Sequence, residues 1–455
     1  MKEMRAAASV AADTLPVRAL AASRLDRLPI ASFHKRTAWL LGFVFFFELG
    51  DLYSFAFAAP ALLKAWNLSI STISFITSAT FIGMFAGATW GGWFSDRVGR
   101  RRALLLSTVW YSGFSLLNAF IWEPTGLFLT RLLTGVGLSA MTVVGITYIS
   151  ELFPASKRGA YQGWVLTIGL IGVPVTAYVA RFCIPLADWG WRVVFVWGAL
   201  GLLFPLFASR LEESPRWFEH RGLLAEADAV LDRIEAEVRL ECGELPPPIE
   251  APPLPPHRGR FRDLASRGVL PRTVVLLVAW IAQTLGFHGF TSWVPTLLVA
   301  HGFSLVRSLA WSSAMSIGTI PGALIAALIS DRFERKWLVP IAALVVAACG
   351  LTYGLTTHPV AIVTLGFLME MFLRTFSSLL YAYTPECFPT EIRNSGAGLA
   401  YGVGRLANIV GPLIIALLFT RFGYASVFTY IAATWVIVAI TIGAFGPRTK
   451  RRILV

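Results

Sequence analysis

Long apolar runs broken by short polar turns dominate this chain. The first extends from about Ala38 to Ala59, five more follow before Arg210, and a second set of six begins near Thr273 and ends near Phe445. An α-helix rises ~1.5 Å per residue and bilayer hydrocarbon is ~30 Å thick, so about 20 apolar residues make one crossing. Hydrocarbon offers no water to unpaired backbone groups, which leaves helices as the form these runs take. The pattern predicts an all-α membrane protein of twelve transmembrane helices in two six-helix bundles, over 37–210 and 273–446.

The segment between the bundles, 211–272, is polar. It opens on Glu213-Ser214-Pro215-Arg216, and then Leu224, Ala227, Val230, Leu231, Ile234 and Val238 fall on one face of an amphipathic helix. Leu245-Pro246-Pro247-Pro248 and Pro252-Pro253-Leu254-Pro255-Pro256 follow, too proline-rich for helix or central strand. They read as a semi-rigid linker, with a polyproline ligand as the alternative. Residues 1–36 are basic and alanine-rich, but Glu3, Asp13 and Asp26 interrupt them and no short apolar core with a cleavage site follows. They read as a mobile cytoplasmic tail, and 447–455 as a second one.

Composition agrees with the pattern. Hydrophobic residues make up 56% of the 455 positions and charged ones 14%, and mean hydropathy is +0.66. Soluble domains run near 45–50% and about 25% respectively. The 33 Phe exclude a disordered chain. Cys183, Cys242, Cys349 and Cys387 are scattered, without the spacing of a disulfide framework or zinc site, and the six His are dispersed. The net charge of +13 sits mostly in alternate loops: Arg97, Arg100, Arg101 and Arg102 after span 2, Lys157 and Arg158 after span 4, Arg332, Arg335 and Lys336 after span 8, and Arg448, Lys450, Arg451 and Arg452 after span 12. The positive-inside rule then places both termini and the central segment in the cytoplasm, and nucleic acid is not needed to explain the charge.

The two halves repeat. Asp96, Glu151 and Arg158 each recur 235 residues later, as Asp331, Glu386 and Arg393, within Ser-Asp-Arg and Glu-x-x-Pro-x-x-x-Arg loops. Parallel repeats of six spans are a transporter architecture with the substrate path between them. Carboxylates and guanidinium groups at neighbouring helix ends make bidentate bonds. Asp96, Arg97, Arg100, Glu151, Arg158, Asp331, Arg332, Glu386 and Arg393 are thus a candidate cytoplasmic gate holding the halves together. The competing reading is that the loop cations only set topology and bind lipid heads.

Gly92-x-x-Ser95-Asp96-Arg97-x-Gly99-Arg100-Arg101, its weaker copy and the twelve-span layout resemble the major facilitator superfamily across nearly the whole chain. Arg131-x-x-x-Gly135-x-Gly137 and Glu213-Ser214-Pro215-Arg216 resemble its sugar-porter-like branch. Glu48-Leu49-Gly50-Asp51 is similar to the two-acid motif of proton symporters for aromatic and other organic acids, which usually begins with Asp. The second repeat departs from the pattern, with Ala327 and Glu334 in place of glycines.

Charges inside spans are costly and usually face a cavity or a partner. Helix rise puts Asp51 roughly 21 Å from the cytoplasmic entry of span 1 and Arg131 roughly 22 Å from the inner surface, at matching depth. Asp51 is the expected proton carrier, with Arg131 as its pair and Glu48, one turn away, assisting it or lining the substrate cavity. A static structural ion pair is the alternative. The second half does not duplicate these acids: the equivalent positions are Gln283 and Gly286. It carries Glu370 and Arg374 on span 10 and Arg405 on span 11, where Arg405 has no local acid and suits an anionic group. Glu370 either neutralises Arg374 or faces substrate. Gln283, Phe287, His288, Trp293, Tyr381 and Tyr383 are candidate polar or stacking contacts.

The expectation is a monomeric, proton-coupled importer of a small organic acid in a bacterial inner membrane, with no cofactor beyond the proton. A sugar or polyol symporter is the alternative, and a drug exporter ranks below it. A sensor would carry a signalling domain, and nothing in the motifs suggests an enzyme.

Overall fold

The computed structural model describes residues 20–248, 261–330, 332–389 and 392–449. Most of the proline-rich linker, Asp331 and the C-terminal Lys450, Arg451 and Arg452 lie outside them.

Twelve helical crossings form two groups. Spans 1 to 5 are Ser32–Ala65, Ile70–Val98, Arg100–Asn118, Pro124–Leu152 and Ala155–Cys183, and span 6 is Gly190–Gly198 continued as a 3-10 helix, Ala199–Arg210. Span 7 joins Leu270–Thr291 to Val294–Ala300, and span 8 joins Leu305–Ser316 to Thr319–Ile329. Spans 9 to 12 are Arg335–Leu355, Pro359–Glu386, Arg393–Phe422 and Tyr424–Phe445. Among the described residues, 11 helices are long and apolar enough to cross a membrane. Span 3 is the exception because it opens on Arg100, Arg101 and Arg102, which lower its hydropathy.

Two of the broken crossings carry a proline at the change of geometry. Proline has no N–H and clashes with the preceding turn. Span 7 accordingly restarts at Val294-Pro295, and span 6 tightens into 3-10 geometry around Pro205. Glycines allow close approach elsewhere. A Cβ at Gly83 or Gly87 of span 2 would strike the carbonyl oxygens of Leu132 and Val136 on span 4, and one at Gly135 would strike that of Thr80. The glycines following Arg131 therefore serve helix packing.

The halves meet chiefly through spans 2 and 11, spans 5 and 8, and the final helix of span 7 against span 1. Ser78 Oγ donates to the Ile409 carbonyl across this seam at 2.8 Å. Outward-facing Trp39, Leu117, Leu344 and Ile440 leave an apolar belt around the bundle.

The segment expected to be a mobile tail is docked from Leu20 onward. Helix α1 (Ala21–Asp26) lies beside helices α2 (Pro215–His220) and α3 (Leu224–Cys242) of the central segment. Ala21, Leu25 and Leu28 are buried with Val230, Leu231, Ile234 and Val238 in one apolar cluster. Arg24 bonds Asp228, Asp232 and Glu235 at 3.3, 2.6 and 2.9 Å, and Arg27 reaches Glu235 at 2.8 Å. Asp26 accepts the Ala155 N–H at 3.0 Å and pairs with Arg216 at 3.4 Å. Burial alone would push the Glu235 carboxyl up, but bonds from Arg24 and Arg27 outweigh it and hold it below its ordinary range. Acids of α3 are thus the partners that fix α1.

We call the end of the bundle bearing α1, the central segment and the acid–arginine loops the loop face.

Candidate functional site

A cleft of about 830 Å3, its mouth included, lies between the halves. Span 1 contributes Leu49, Leu52 and Tyr53, and span 2 contributes Phe81 and Met84. Span 7 adds Trp280, Gln283, Thr284, Phe287 and His288; span 10 adds Arg374, Ser377 and Tyr381; span 11 adds Tyr401, Arg405 and Asn408. The repeat of these positions every three or four residues puts each set on one helix face. The polar and aromatic lining thus comes mainly from the second half, and the first supplies mostly apolar wall.

Both second-half arginines face the cleft. Arg405 Nη1 donates to Ser139 Oγ of span 4 at 3.3 Å, and Arg374 Nη2 donates to Tyr53 Oη of span 1 at 3.2 Å. The Arg374 guanidinium also lies 4.9 Å from the centre of the Phe287 ring. Among the described residues neither arginine has a carboxylate within ion-pairing distance, so both carry charge available to a ligand. Trp280, Tyr381 and Tyr401 pack as a trio with ring centres 4.7–5.0 Å apart near the loop face. Tyr381 remains 52% exposed there, which marks the open end.

Other expected contacts fall elsewhere. Glu370 does not line the cleft or pair with Arg374. It faces an adjoining cavity of about 360 Å3, shared with Arg374, and accepts a bond from Thr319 at 3.4 Å. Arg374 is drawn instead to Tyr53, a residue of the opposite half that no local sequence could reveal. Trp293 and Tyr383 are buried in packing, and the Tyr383 hydroxyl donates to the Pro447 carbonyl at 2.8 Å. Gln283, Phe287, His288 and Tyr381 do line the cleft. Trp280, Tyr401 and Ser377 were missed, although their spacing from Gln283, Arg405 and Arg374 was a readable signal.

Asp51 and Arg131 are brought together. Both are fully buried, with Arg131 Nη1 3.5 Å from Asp51 Oδ2. Ser115 donates to Asp51 Oδ1, Ser54 does so at 3.3 Å, and Arg131 Nε donates to Thr80 at 3.2 Å. The rings of Phe55 and Phe195 flank the guanidinium. A Cβ at Gly198 would strike the carboxylate, so span 6 closes directly over it. Glu48 lies apart from the pair: its Oε1 accepts from Thr142 at 2.7 Å, and its buried Oε2 has no partner among the described residues. Arg405 lies within electrostatic reach of it.

Each half carries its own loop network among the described residues. Arg100 holds Glu151 at 2.9 Å and Asp96 at 2.7 Å. Glu213, of the central segment, accepts the backbone N–H groups of Arg100 and Arg101 at 2.7 and 3.0 Å. Its carboxylate occupies the space a Cβ on Gly99 would need, and Gly99 has φ +98°. In the second half Arg335 pairs with Glu386, both 235 residues beyond Arg100 and Glu151. Arg335 belongs in the network, and the repeat already pointed to it. Arg97 instead stacks on Trp93 at 4.2 Å, and Arg158 turns to Asp26 at 3.8 Å. Arg332 and Arg393 lie on the equivalent loop and helix end of the second half.

Two six-helix bundles around a polar, aromatic cleft define a multi-pass membrane transporter of the major facilitator fold. Residues 33–455 match the family described as "Sugar (and other) transporter", and the chain belongs to it. It is 46% identical to the "Putative metabolite transport protein YyaJ" of Bacillus subtilis (strain 168), over 95% of this chain and 96% of that one. It is 30% identical to the "Niacin transporter NiaP" of Acinetobacter baylyi, over 95% of this chain and 98% of that one. The fold matches the partially occluded inward open conformation of the xylose transporter XylE from E. coli, with a TM-score of 0.74 at 18% identity, covering 93% of this chain and 100% of that one. These relatives are transporters, and the chain is one, not an enzyme.

Proposed function

We propose that this transporter imports a small organic acid, aromatic by preference, together with a proton, by alternating access in a bacterial inner membrane. The observation that carries the reading is the cleft itself: two arginines, Arg374 and Arg405, face it without a paired carboxylate, among aromatic side chains. A carboxylate would meet the guanidinium groups, and its ring would pack against Phe287 or the Trp280 trio. The relative named for niacin, a pyridine carboxylate, supports that class. The sugar alternative keeps the xylose-transporter fold in its favour, but the cleft offers only two amide side chains, Gln283 and Asn408.

Asp51 carries the proton in this reading. In the described state Arg131 pairs with it. Movement of span 4 or 6 that separates them would leave the carboxylate to take up a proton, which couples protonation to conformation. The loop face is the cytoplasmic one, so the cleft opens inward and both termini are cytoplasmic. The Arg100–Glu151 and Arg335–Glu386 networks brace each half during the swing. The protein works as a monomer in the bilayer, with the proton as its only coupling ion.

The test is uptake into proteoliposomes driven by an imposed pH gradient, comparing benzoate, an aliphatic acid and a hexose. Gradient-dependent uptake of an acid faster than in protein-free vesicles, with no uptake of the hexose, is expected. Arg405→Ala should weaken acid binding about tenfold to a hundredfold, the worth of a charge-assisted bond. Hexose accumulation, or acid binding unchanged in Arg405→Ala, would overturn the reading.

A further inference from the structure

Span 10 carries an acid that the transport reading above leaves unused. Glu370 is 8% exposed and accepts a long bond from Thr319 Oγ1, at 3.4 Å. Ionisable groups inside a span usually face a cavity or a partner. Arg374 follows it by four residues on the same helix, and Glu before Arg at that spacing is the order that favours pairing. The two nevertheless do not pair. Arg374 Nη2 donates to Tyr53 Oη at 3.2 Å, and its Nε is buried without a partner among the described residues.

The Tyr53–Arg374 bond is also a partition. Both side chains line the cleft and the adjoining cavity of about 360 Å3. Along span 10, Ser377 and Tyr381 lie toward the loop face and line the cleft, whereas Glu370 lies roughly 6 Å the other way and lines the cavity. Span 8 seats directly on span 10, since a Cβ at Gly318 or Gly322 would strike the carbonyl oxygens of Phe367 and Met371. Span 1 belongs to the opposite half and is tied here through the Tyr53 hydroxyl. Opening the cavity side therefore parts span 1 from span 10, breaks that bond, and leaves Glu370, one turn away, to receive the freed guanidinium. Among the described residues, the titratable groups lining the cavity with Glu370 are Arg374 and Tyr53. Spans 5, 7 and 8 present uncharged side chains there, including Val173, Thr291, Ser312 and Ser316.

We infer that Arg374 is a two-position switch, held by Tyr53 while the loop face is open and by Glu370 while the opposite side is open, and that a proton on Glu370 releases Arg374 to a substrate carboxylate on that opposite side. This rests on the organic-acid reading. An ionised Glu370 and an incoming acid present the same group to one guanidinium, so they compete for it. Protonation removes the competing charge. The proton comes from water on the open side and returns there when the Glu370–Arg374 pair re-forms. Proton and acid thereby favour each other's binding by linkage. Glu370 is a positioning residue in this scheme: it acts on the substrate only through Arg374.

Benzoate exchange in right-side-out membrane vesicles preloaded with benzoate tests this, after subtraction of the rate in vesicles lacking the protein. The outer pH is varied from about 5.5 to about 8.5, a range in which a carboxylic acid stays largely ionised. The external KM of the wild type should rise about tenfold across that range, the worth of a charge-assisted bond. Glu370→Gln should keep the low KM throughout, changing less than about twofold, and Glu370→Asp should restore part of the rise. A KM independent of outer pH in the wild type overturns the inference while leaving the acid reading standing. So does a Glu370→Gln variant whose KM rises as in the wild type, or is raised at every pH. Should Glu370→Gln fail to fold, Glu370→Ala carries the same expectation. If the wild type exchanges no benzoate at any pH, the acid reading fails and takes this switch with it.

Discussion

Replacing Asp51 by Asn tests the coupling assignment most directly. The substitution keeps the size and one acceptor oxygen, so Ser54 and Ser115 retain a partner, while the charge facing Arg131 disappears. Removing one partner of a buried ion pair costs about 3–5 kcal/mol. Here the pair is long, at 3.5 Å, and Arg131 keeps Thr80 at 3.2 Å and Ser54 at 3.4 Å, which puts the expected loss near about 3 kcal/mol, the lower end of that range. The variant should therefore still fold. Its functional loss should be complete in one respect. For symport of one proton with a monovalent anion, each pH unit is worth about 1.36 kcal/mol, or tenfold accumulation. Wild-type vesicles, alkaline inside by one unit and with the membrane potential clamped at zero, should approach the tenfold limit faster than protein-free vesicles, in which passive entry of the neutral acid approaches the same limit more slowly. Asp51→Asn vesicles should match the protein-free control, yet exchange internal for external acid at a rate near that of the wild type. Gradient-driven uptake by the variant as fast as in the wild type would remove Asp51 from the coupling step. Loss of exchange in a well-folded variant would instead assign it to substrate binding or to the moving framework.

Three further outcomes follow from the packing. Because Glu235 is held below its ordinary value, the α1 clamp should be at full strength above the ordinary carboxylate range and weaken as pH falls through the depressed value. Hydrogen exchange over residues 20–31 should accordingly stay slow at neutral pH and speed up only in acid, and an exchange rate independent of pH after correction for intrinsic chemistry would contradict the clamp. Gly87→Val, which drives a side chain into the Val136 carbonyl, should abolish monodisperse protein on gel filtration in detergent, whereas Gly92→Ala, which meets nothing within 4 Å, should not. A double-mutant cycle on Arg100 and Glu151, which are 12% and 16% exposed, should give a coupling of about 1–2 kcal/mol in unfolding by SDS titration.

The spans were legible because hydrocarbon tolerates few alternatives, and the 235-residue offset exposed the two halves without any structure. The Asp51–Arg131 encounter could be anticipated because helix rise converts residue counts into depth, and depth leaves only rotation open. Rotation and partner choice were what sequence could not supply. Arg374 has an acid four residues away, yet it meets a tyrosine from the other half, since the cleft brings span 1 closer to its guanidinium than its own helix does. Arg335 was visible in the repeat but lay outside the candidate gate. The docking of α1 was hidden for a different reason: acids on an amphipathic helix look alike whether they face water or arginines far away in the chain.

That distance has a consequence for how the molecule is made. Arg24 meets acids 204 to 211 residues further along the chain, on the far side of the first six spans. At synthesis rates of ~5–20 residues per second, Arg24 waits roughly 10–40 s after leaving the ribosome before its first acid partner exists. Val230, Leu231, Ile234 and Val238, which share the buried cluster with Leu25, emerge in the same late interval. The strap can close only when the first bundle has been threaded and the central segment has emerged, so its docking marks completion of one half of the transporter before the other half has begun.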